Sequence, residues 1–241
     1  MSSLTVVILA AGEGKRMNSA VPKVLHKFDS VPMLVRIIKT VKTIDPKKIV
    51  IVTGKYEDLI KQTISEYMNA EELCFIKQQV PRGTGDAIKS CLPYFHPDDN
   101  VLILNGDTPL ITSNILVKFI KDTSPANLIV AKINHPFGYG RIVYDESDCF
   151  KEIIEEKECD EMQKKINIIN SGIYLIKGSL LIDYIPQIEN TNSQKEYYLT
   201  DIFKLIKTNT IDNIRTCLLD ESEAKYIRGA NTQEELMSLY D

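Results

Sequence analysis

The sequence predicts an α/β domain built on a mostly parallel β-sheet flanked by helices, with a smaller mixed-β half completing it. Three features predict this. An apolar run, Leu4-Thr-Val-Val-Ile-Leu9, gives way at once to a glycine-containing loop. Strand-like and helix-like segments then alternate as far as about residue 125, the rhythm of parallel strands joined by right-handed helical crossovers. Beyond that point short strand-like runs follow one another without long helices between them.

The elements follow in order. Leu4–Leu9 is apolar on both alternating faces, as a strand covered on both sides must be. Leu34, Ile37, Ile38 and Val41 recur at helical spacing, with Arg36, Lys39 and Lys42 between them. Lys48–Thr53 is the next strand. Ile60, Ile64, Tyr67 and Met68 form one helical stripe, and 73–76 is a short strand. A loop through Arg82-Gly-Thr-Gly85 starts a helix carrying Ala87, Ile88 and Cys91. Val101-Leu-Ile-Leu104 reads as a central buried strand, followed by a helix marked by Leu116, Phe119 and Ile120. In the second half, strands are expected at about 127–134, 141–144, 150–155, 168–176, 213–219 and 225–228, with a helix over 199–208. Thr232-Gln-Glu-Glu235 has the capping-box spacing that opens a final helix.

Composition narrows the function. The 241 residues are 44% hydrophobic and 26% charged, proportions of an ordinary globular chain with enough surface to bury a full core. The net charge of −4 argues against a general nucleic-acid binder. No apolar run is long enough to cross a bilayer, and the N-terminus lacks signal-peptide features, so a cytoplasmic protein is expected. The five cysteines stand singly, without metal spacing or a disulfide framework, and the three histidines are dispersed.

The chemistry-bearing letters begin at Leu9-Ala-Ala-Gly-Glu-Gly-Lys-Arg-Met17, with Pro22-Lys23 soon after. Ala10, Ala11, Gly12 and Gly14 carry little or no side chain, so phosphate oxygens can approach the main chain. Lys15, Arg16 and Lys23 are within reach of several negative charges. The dinucleotide fingerprint would need a glycine at Met17, and the P-loop a glycine at Leu9 and Ser or Thr at Arg16, so neither fits. Asn105-Gly106-Asp107 ends the central strand, where open α/β sheets bind ligands. An Asp there suits Mg²⁺; the same letters also read as a turn with a solvated Asp. Gln78 carries donor and acceptor together, matching the N3–H/O4 edge of uracil, and reads equally as a surface Gln beside a helix start. Gly138-Tyr-Gly140-Arg, Glu155 and Asn170-Ser-Gly172 stand at strand ends in the second half, where amides and carboxylates meet sugar hydroxyls.

Taken together, these motifs resemble those of the sugar-1-phosphate nucleotidyltransferases. They are most similar to the uridylyltransferase domain of the bifunctional enzymes that make UDP-N-acetylglucosamine. The resemblance runs from Leu9–Met17 and Pro22-Lys-Val-Leu25 through Gln78 with Gly83-Thr-Gly85 and Gly106-Asp-Thr-Pro-Leu110. It continues through Gly138–Ile142, Ile154-Glu-Glu-Lys157, Ile169–Tyr174, Glu196-Tyr-Tyr-Leu-Thr-Asp201 and Gly229-Ala-Asn231. It implies a Rossmann-like sheet, with about 1–125 as a nucleotide-binding half and about 126–241 as a sugar-binding half of one domain. It also implies a Mg²⁺-dependent reaction of UTP with N-acetylglucosamine-1-phosphate.

On that resemblance Arg16, Lys23 and Asp107 are the catalytic residues, and Asp107 with Asn231 holds the metal. Leu9, Ala10, Ala11, Gly12, Gln78, Gly83, Thr84, Asn105 and Gly106 meet the nucleotide. Gly140, Glu155, Asn170, Tyr197 and Thr200 meet the sugar. The bifunctional enzymes continue into a left-handed β-helix; with no hexapeptide repeats here, neither that helix nor acetyltransferase activity is expected, and a monomer or small homo-oligomer is. Lys15 stands where Thr is commonest, and Asn105 where an aromatic residue often precedes Gly-Asp. The alternatives are a transferase for another sugar-1-phosphate or for phosphocholine, and a non-catalytic subunit that binds nucleotide-sugars.

Overall fold

The computed structural model describes residues 3–210 and 214–240. In chain order the elements are β1 (Leu4–Leu9), the hairpin β2 (Lys27–Phe28) and β3 (Val31–Pro32), α1 (Met33–Lys42), β4 (Lys48–Thr53) and α2 (Glu57–Ser65). Then come β5 (Cys74–Lys77), α3 (Thr84–Lys89), β6 (Asn100–Asn105), α4 (Ser113–Phe119) and β7 (Ala126–Lys132). The chain continues through β8 (Arg141–Tyr144), β9 (Phe150–Ile154), β10 (Ile168–Lys177), α5 (Gly178–Tyr184), α6 (Asp201–Asn209), β11 (Arg215–Leu218) and α7 (Gln233–Met237).

Nine strands form one sheet in the order β11-β7-β10-β6-β1-β4-β5, with β8 attached to β10 and β9 to β8. β1 lies parallel to both β4 and β6, β4 is parallel to β5, and β11 to β7, whereas β10 is antiparallel to both β6 and β7. Along that path β10 alone runs against the rest, so the sheet is mostly parallel, as the alternating pattern predicts. The chain steps from β1 outward to β4 and β5, then returns to β6 on the far side of β1. That reversal is a topological switch point, and in open α/β sheets ligands bind at such a point beyond the carboxyl ends of the strands.

Both faces of the central strands are covered, which is why their sequences are apolar without alternation. Val6 and Ile8 of β1 pack with Leu34, Ile37, Ile38 and Val41 of α1 and with Leu116 and Phe119 of α4. Val7 faces the other way, into a cluster with Ile88, Leu181, Phe203 and Ile206. A third, small cluster joins Met17, Phe28, Met33, Ala230, Leu236 and Leu239. It ties the loop after β1, the β2–β3 hairpin and the C-terminal segment into one anchor.

Several boundaries differ from the sequence pattern. Tyr67, Cys91 and Ile120 fall just past their helices, where Tyr67 N–H donates to the Ile64 carbonyl and Cys91 N–H to that of Ile88, closing tight final turns. The segment expected as a strand at 225–228 is a 3₁₀ turn, Ala224–Ile227, in which Tyr226 N–H donates to the Glu223 carbonyl and Arg228 N–H to the Lys225 carbonyl. It turns the chain back so that Ala230 N–H reaches the Asp107 carbonyl at 3.1 Å, a demand that no local pattern announces. Of the strand expected at 213–219, residue 213 lies outside the described residues. The β2–β3 hairpin has two residues per strand and α5 has seven residues, too short for a periodic pattern to announce them. No left-handed β-helix occurs among the described residues, and none of their helices is long and apolar enough to cross a membrane.

Met17 is 1% exposed although it ends a polar loop. Met17→Ala is expected to cost about 2–5 kcal/mol, the usual range for emptying a packed core site. A shift in the midpoint of urea unfolding at unchanged slope checks it.

Candidate active site

Four loops meet at the carboxyl edge of the parallel strands. Ala10 N–H donates to the Val52 carbonyl at 2.8 Å, Gly106 N–H to the Leu9 carbonyl at 2.9 Å, and Gln78 N–H to the Thr53 carbonyl at 2.8 Å. The loops after β1, β5 and β6 are thereby stitched to one rim. Gly106 has to be glycine, because a Cβ there would lie 2.8 Å from the Leu9 carbonyl oxygen. Gly12 differs: a Cβ on it would meet nothing within 4 Å. Packing does not require a glycine at that position, and the bare backbone borders open space. Arg16 is exposed, and its guanidinium forms no ion pair with a described residue. The side chain of Lys15 lies outside the described residues.

Lys23 organises the centre. The Lys23 ammonium donates to Asp107 Oδ2 in a close ion pair and to Asn231 Oδ1 at 2.9 Å. Both partner oxygens are held from behind. Asp107, 9% exposed, has its own carbonyl bonded by Ala230 N–H. Asn231 is held by Glu235, whose Oε2 accepts from Asn231 N–H at 2.7 Å and from Nδ2 at 3.2 Å. Thr232 Oγ1 accepts from Glu235 N–H, as the capping pattern predicts. The return reach of the carboxylate, however, goes to Asn231 instead of Thr232, and that turns Asn231 Oδ1 toward Lys23. Two hard oxygens thus converge on one point that already holds a cation, a donor set that suits Mg²⁺ with phosphate oxygens and water completing its shell. Among the described residues, no group of three or more His, Cys, Asp and Glu side chains could hold a metal by itself.

At the far side of the rim, Gln78 is 4% exposed. Its Nε2 donates to the Gly83 carbonyl at 3.1 Å and to Asp86 Oδ2 at 2.9 Å. Asp86 Oδ1 accepts from Arg82 at 2.8 Å. Gly83 has φ +113°, and a Cβ on it would lie 2.5 Å from the Tyr197 carbonyl oxygen. Gly85 N–H donates to that carbonyl at 2.7 Å, and Thr84 Oγ1 accepts from Leu199 N–H at 3.0 Å. The Gly83-Thr-Gly85 motif therefore docks the Tyr197–Leu199 segment onto the β5 end of the rim. β5 and β6 are three strand spacings apart, roughly 14 Å at about 4.8 Å per step. That separation matches the reach of a nucleotide from base to phosphates.

The second-half candidates sit on the β8–β9–β10 extension. Asn170 N–H donates to the Gly140 carbonyl at 2.9 Å, placing two of them side by side. The Asn170 amide donates to the Tyr174 hydroxyl at 2.7 Å and accepts from Gly172 N–H at 3.1 Å, bracing a bulge in β10. Gly172, at φ +75°, packs directly against the Asn105 amide, so the bulge leans on the end of β6. Thr200 Oγ1 donates to Glu155 Oε1 at 2.8 Å. Burial pushes the Glu155 carboxyl above the ordinary range; the Thr200 hydroxyl opposes that, and the charges of Asp201, Glu196 and Glu158 add to it. Tyr139 is also pushed up by burial, with Arg228 opposing and the charges of Asp107 and Glu235 adding, which places the Gly138–Arg141 motif near Asp107.

The structure therefore brings Leu9, Ala10, Ala11, Gly12, Lys23, Asn105, Gly106, Asp107 and Asn231 to the centre of the rim. Gln78, Gly83 and Thr84 stand at one end, and Tyr197 joins them by docking. Glu155 pairs with Thr200, and Gly140 with Asn170. Sequence reasoning missed Glu235, Asp86 and Arg82. Glu235 was visible as a cap but not as the residue that orients Asn231. Asp86 and Arg82 stand beside the glycine motif with no signal of their own.

Residues 6–176 match the MobA-like NTP transferase domain. A probable UDP-N-acetylglucosamine pyrophosphorylase of Acanthamoeba polyphaga mimivirus is 42% identical over 239 residues, covering 97% of this chain and 93% of that protein. The bifunctional protein GlmU of Francisella tularensis subsp. novicida is 38% identical over 238 residues, 98% of this chain and 50% of that one. The chain thus spans about half the length of the bifunctional relatives that it matches. A solved Bacillus anthracis structure, a candidate glucose-1-phosphate thymidylyltransferase with sucrose, aligns at TM-score 0.73 and 19% identity over 98% of this chain and 94% of that one. That likeness shows the fold.

A carboxyl raised on folding makes the native state bind protons more readily than the unfolded chain, so its contribution to stability grows as the pH falls through the raised value. Glu155→Gln keeps an oxygen to accept from Thr200 and removes the buried charge. It is expected to melt a few degrees above the parent at pH 7, with the gap closing below the ordinary carboxylate range. Thermal unfolding across that range reads the effect.

Proposed function

The chain belongs to the MobA-like NTP transferase family, and from that premise we propose that it transfers a uridylyl group from UTP to N-acetylglucosamine-1-phosphate, releasing pyrophosphate. The observation that carries the reading is the convergence of Lys23, Asp107 and Asn231 beside the open Gly12 rim at the switch point. The sequence likeness to the mimivirus pyrophosphorylase across nearly the whole chain supports the choice of substrates.

In this reading an oxygen of the sugar phosphate attacks the α-phosphorus of UTP. The new P–O bond forms as the bond from the α-phosphorus to the β-phosphate bridging oxygen breaks, and pyrophosphate leaves with the electron pair. The attacking phosphate is already ionised, so no general base is needed, and the work lies in positioning two anions that repel each other. The backbone of Ala11 and Gly12 lets phosphate oxygens approach. Arg16, exposed at the rim, holds the departing pyrophosphate. Lys23 braces the charge that builds at the α-phosphate. Asp107 and Asn231 would hold Mg²⁺, which when bound would supply further charge neutralisation. Glu155, Asn170 and Gly140 face the sugar, with Tyr197 and Thr200 lining the N-acetyl group.

Pyrophosphate release from UTP, dTTP and CTP, each with a panel of sugar-1-phosphates, tests the reading. UTP with N-acetylglucosamine-1-phosphate is expected to react fastest, with turnover lost to chelator and restored by Mg²⁺; no release with that pair would sink it. Asp107→Asn, which keeps the shape of the side chain, is expected to lower kcat by roughly 10²–10³, the scale of one charge-stabilising contact, with the melting temperature little changed. Full activity in that variant would remove Asp107 from the site.

A further inference from the structure

Gln78 has a carboxamide with two different ends, and which end meets a ligand decides what it can recognise. Both N–H donors are taken from within the protein: Nε2 donates to the Gly83 carbonyl at 3.1 Å and to Asp86 Oδ2 at 2.9 Å. A backbone carbonyl and a carboxylate can only accept. If the amide turned over, its oxygen would face two acceptors at hydrogen-bond distance, so the observed orientation is enforced. No described donor reaches Gln78 Oε1. Asp86 is itself 6% exposed and fixed through its other oxygen by Arg82 at 2.8 Å, whose guanidinium also lies 5.6 Å from the centre of the Tyr197 ring.

We propose that Asp86 is a positioning residue for base selection: by taking the Gln78 NH₂ group, it leaves Gln78 Oε1 as the sole recognition atom of that side chain. This deepens the uridylyl-transfer reading and rests on it. The sequence suggests a contact that both donates and accepts; the structure leaves an acceptor alone. An acceptor selects a base that offers N–H at its pairing edge, as uracil and thymine do at N3. It disfavours cytosine, whose N3 is itself an acceptor, because two lone pairs would be pressed together without a proton between them. Recognition of O4 then falls to a donor other than Gln78.

The test is Asp86→Asn, compared with the parent for kcat/KM with UTP and with CTP, and for the dissociation constants of UDP and CDP by calorimetry. The Asn carboxamide can offer its own NH₂ to Gln78, which permits the Gln78 amide to turn and present N–H groups to the base. The preference for UTP over CTP is expected to fall on the order of tenfold, and the UDP-to-CDP affinity ratio with it, at a nearly unchanged melting temperature. Arg82→Ala keeps the carboxylate at 86 and is expected to keep the preference. A folded Asp86→Asn that loses the same factor for both nucleotides would overturn the assignment, since a merely structural defect weakens both alike. Should Asp86→Asn not fold, Asp86→Ala leaves Gly83 as the single acceptor and is judged by the same ratio. A parent protein that does not prefer UTP to CTP would fail at the underlying reading, and the role of Asp86 would fall with it.

Discussion

The contact between Lys23 and the pair Asp107–Asn231 is the constraint on which the site depends. It joins residues 84 and 208 positions apart in the chain. One ammonium satisfies a carboxylate that is nearly buried, and a buried carboxylate without a partner is costly. The three segments therefore have to meet, and in meeting they set cationic and anionic groups together at the switch-point edge of the sheet. In the proposed reaction a divalent ion and a phosphate would replace the two halves of the ion pair, each charge finding a new partner, so little charge would be left bare as a complex forms.

Holding that meeting point takes structure beyond the three residues that form it. The small cluster around Met17, Phe28 and Leu236 clamps the C-terminal segment beneath the loop after β1. The final helix adds its own device, a cap whose carboxylate reaches one residue too far and fastens Asn231. Neither feature belongs to the main core. Each works by fixing backbone over a few residues, where displacement of a ligand atom by an ångström is enough to cost much of its effect.

The β8–β9–β10 extension and the Tyr197–Leu199 segment are coupled to the rim by close backbone approaches. Gly83 admits Tyr197, and Gly172 admits Asn105, in each case at a positive φ and a distance that a side chain would block. These contacts carry the bulged β10 against the end of β6 and the Tyr197–Leu199 segment against the loop after β5, with which that segment shares hydrogen bonds. Asn105 has the compact amide that this approach to Gly172 uses.

Much of the fold was legible in the letters because it is encoded locally. The doubly covered strands β1, β4 and β6 are unbroken apolar runs, the first three helices carry apolar stripes, and Thr232 with Glu235 announces the last one. The order of these elements leads to a parallel sheet with a switch point, and the loops that close its edge carry the glycine and basic residues that mark them. What required tertiary structure was every question of partner and direction. Nothing near position 225 says that the chain must turn back toward Asp107 instead of running on as a strand. Nothing near position 78 says which end of the Gln78 amide is free, because its partners lie on the next turn of chain and one of them, Asp86, reads in isolation as a solvated helix residue. Hydrophobic periodicity is a property of neighbours in sequence. The pairing of polar groups is decided by distance in space, and distance follows from the whole sheet.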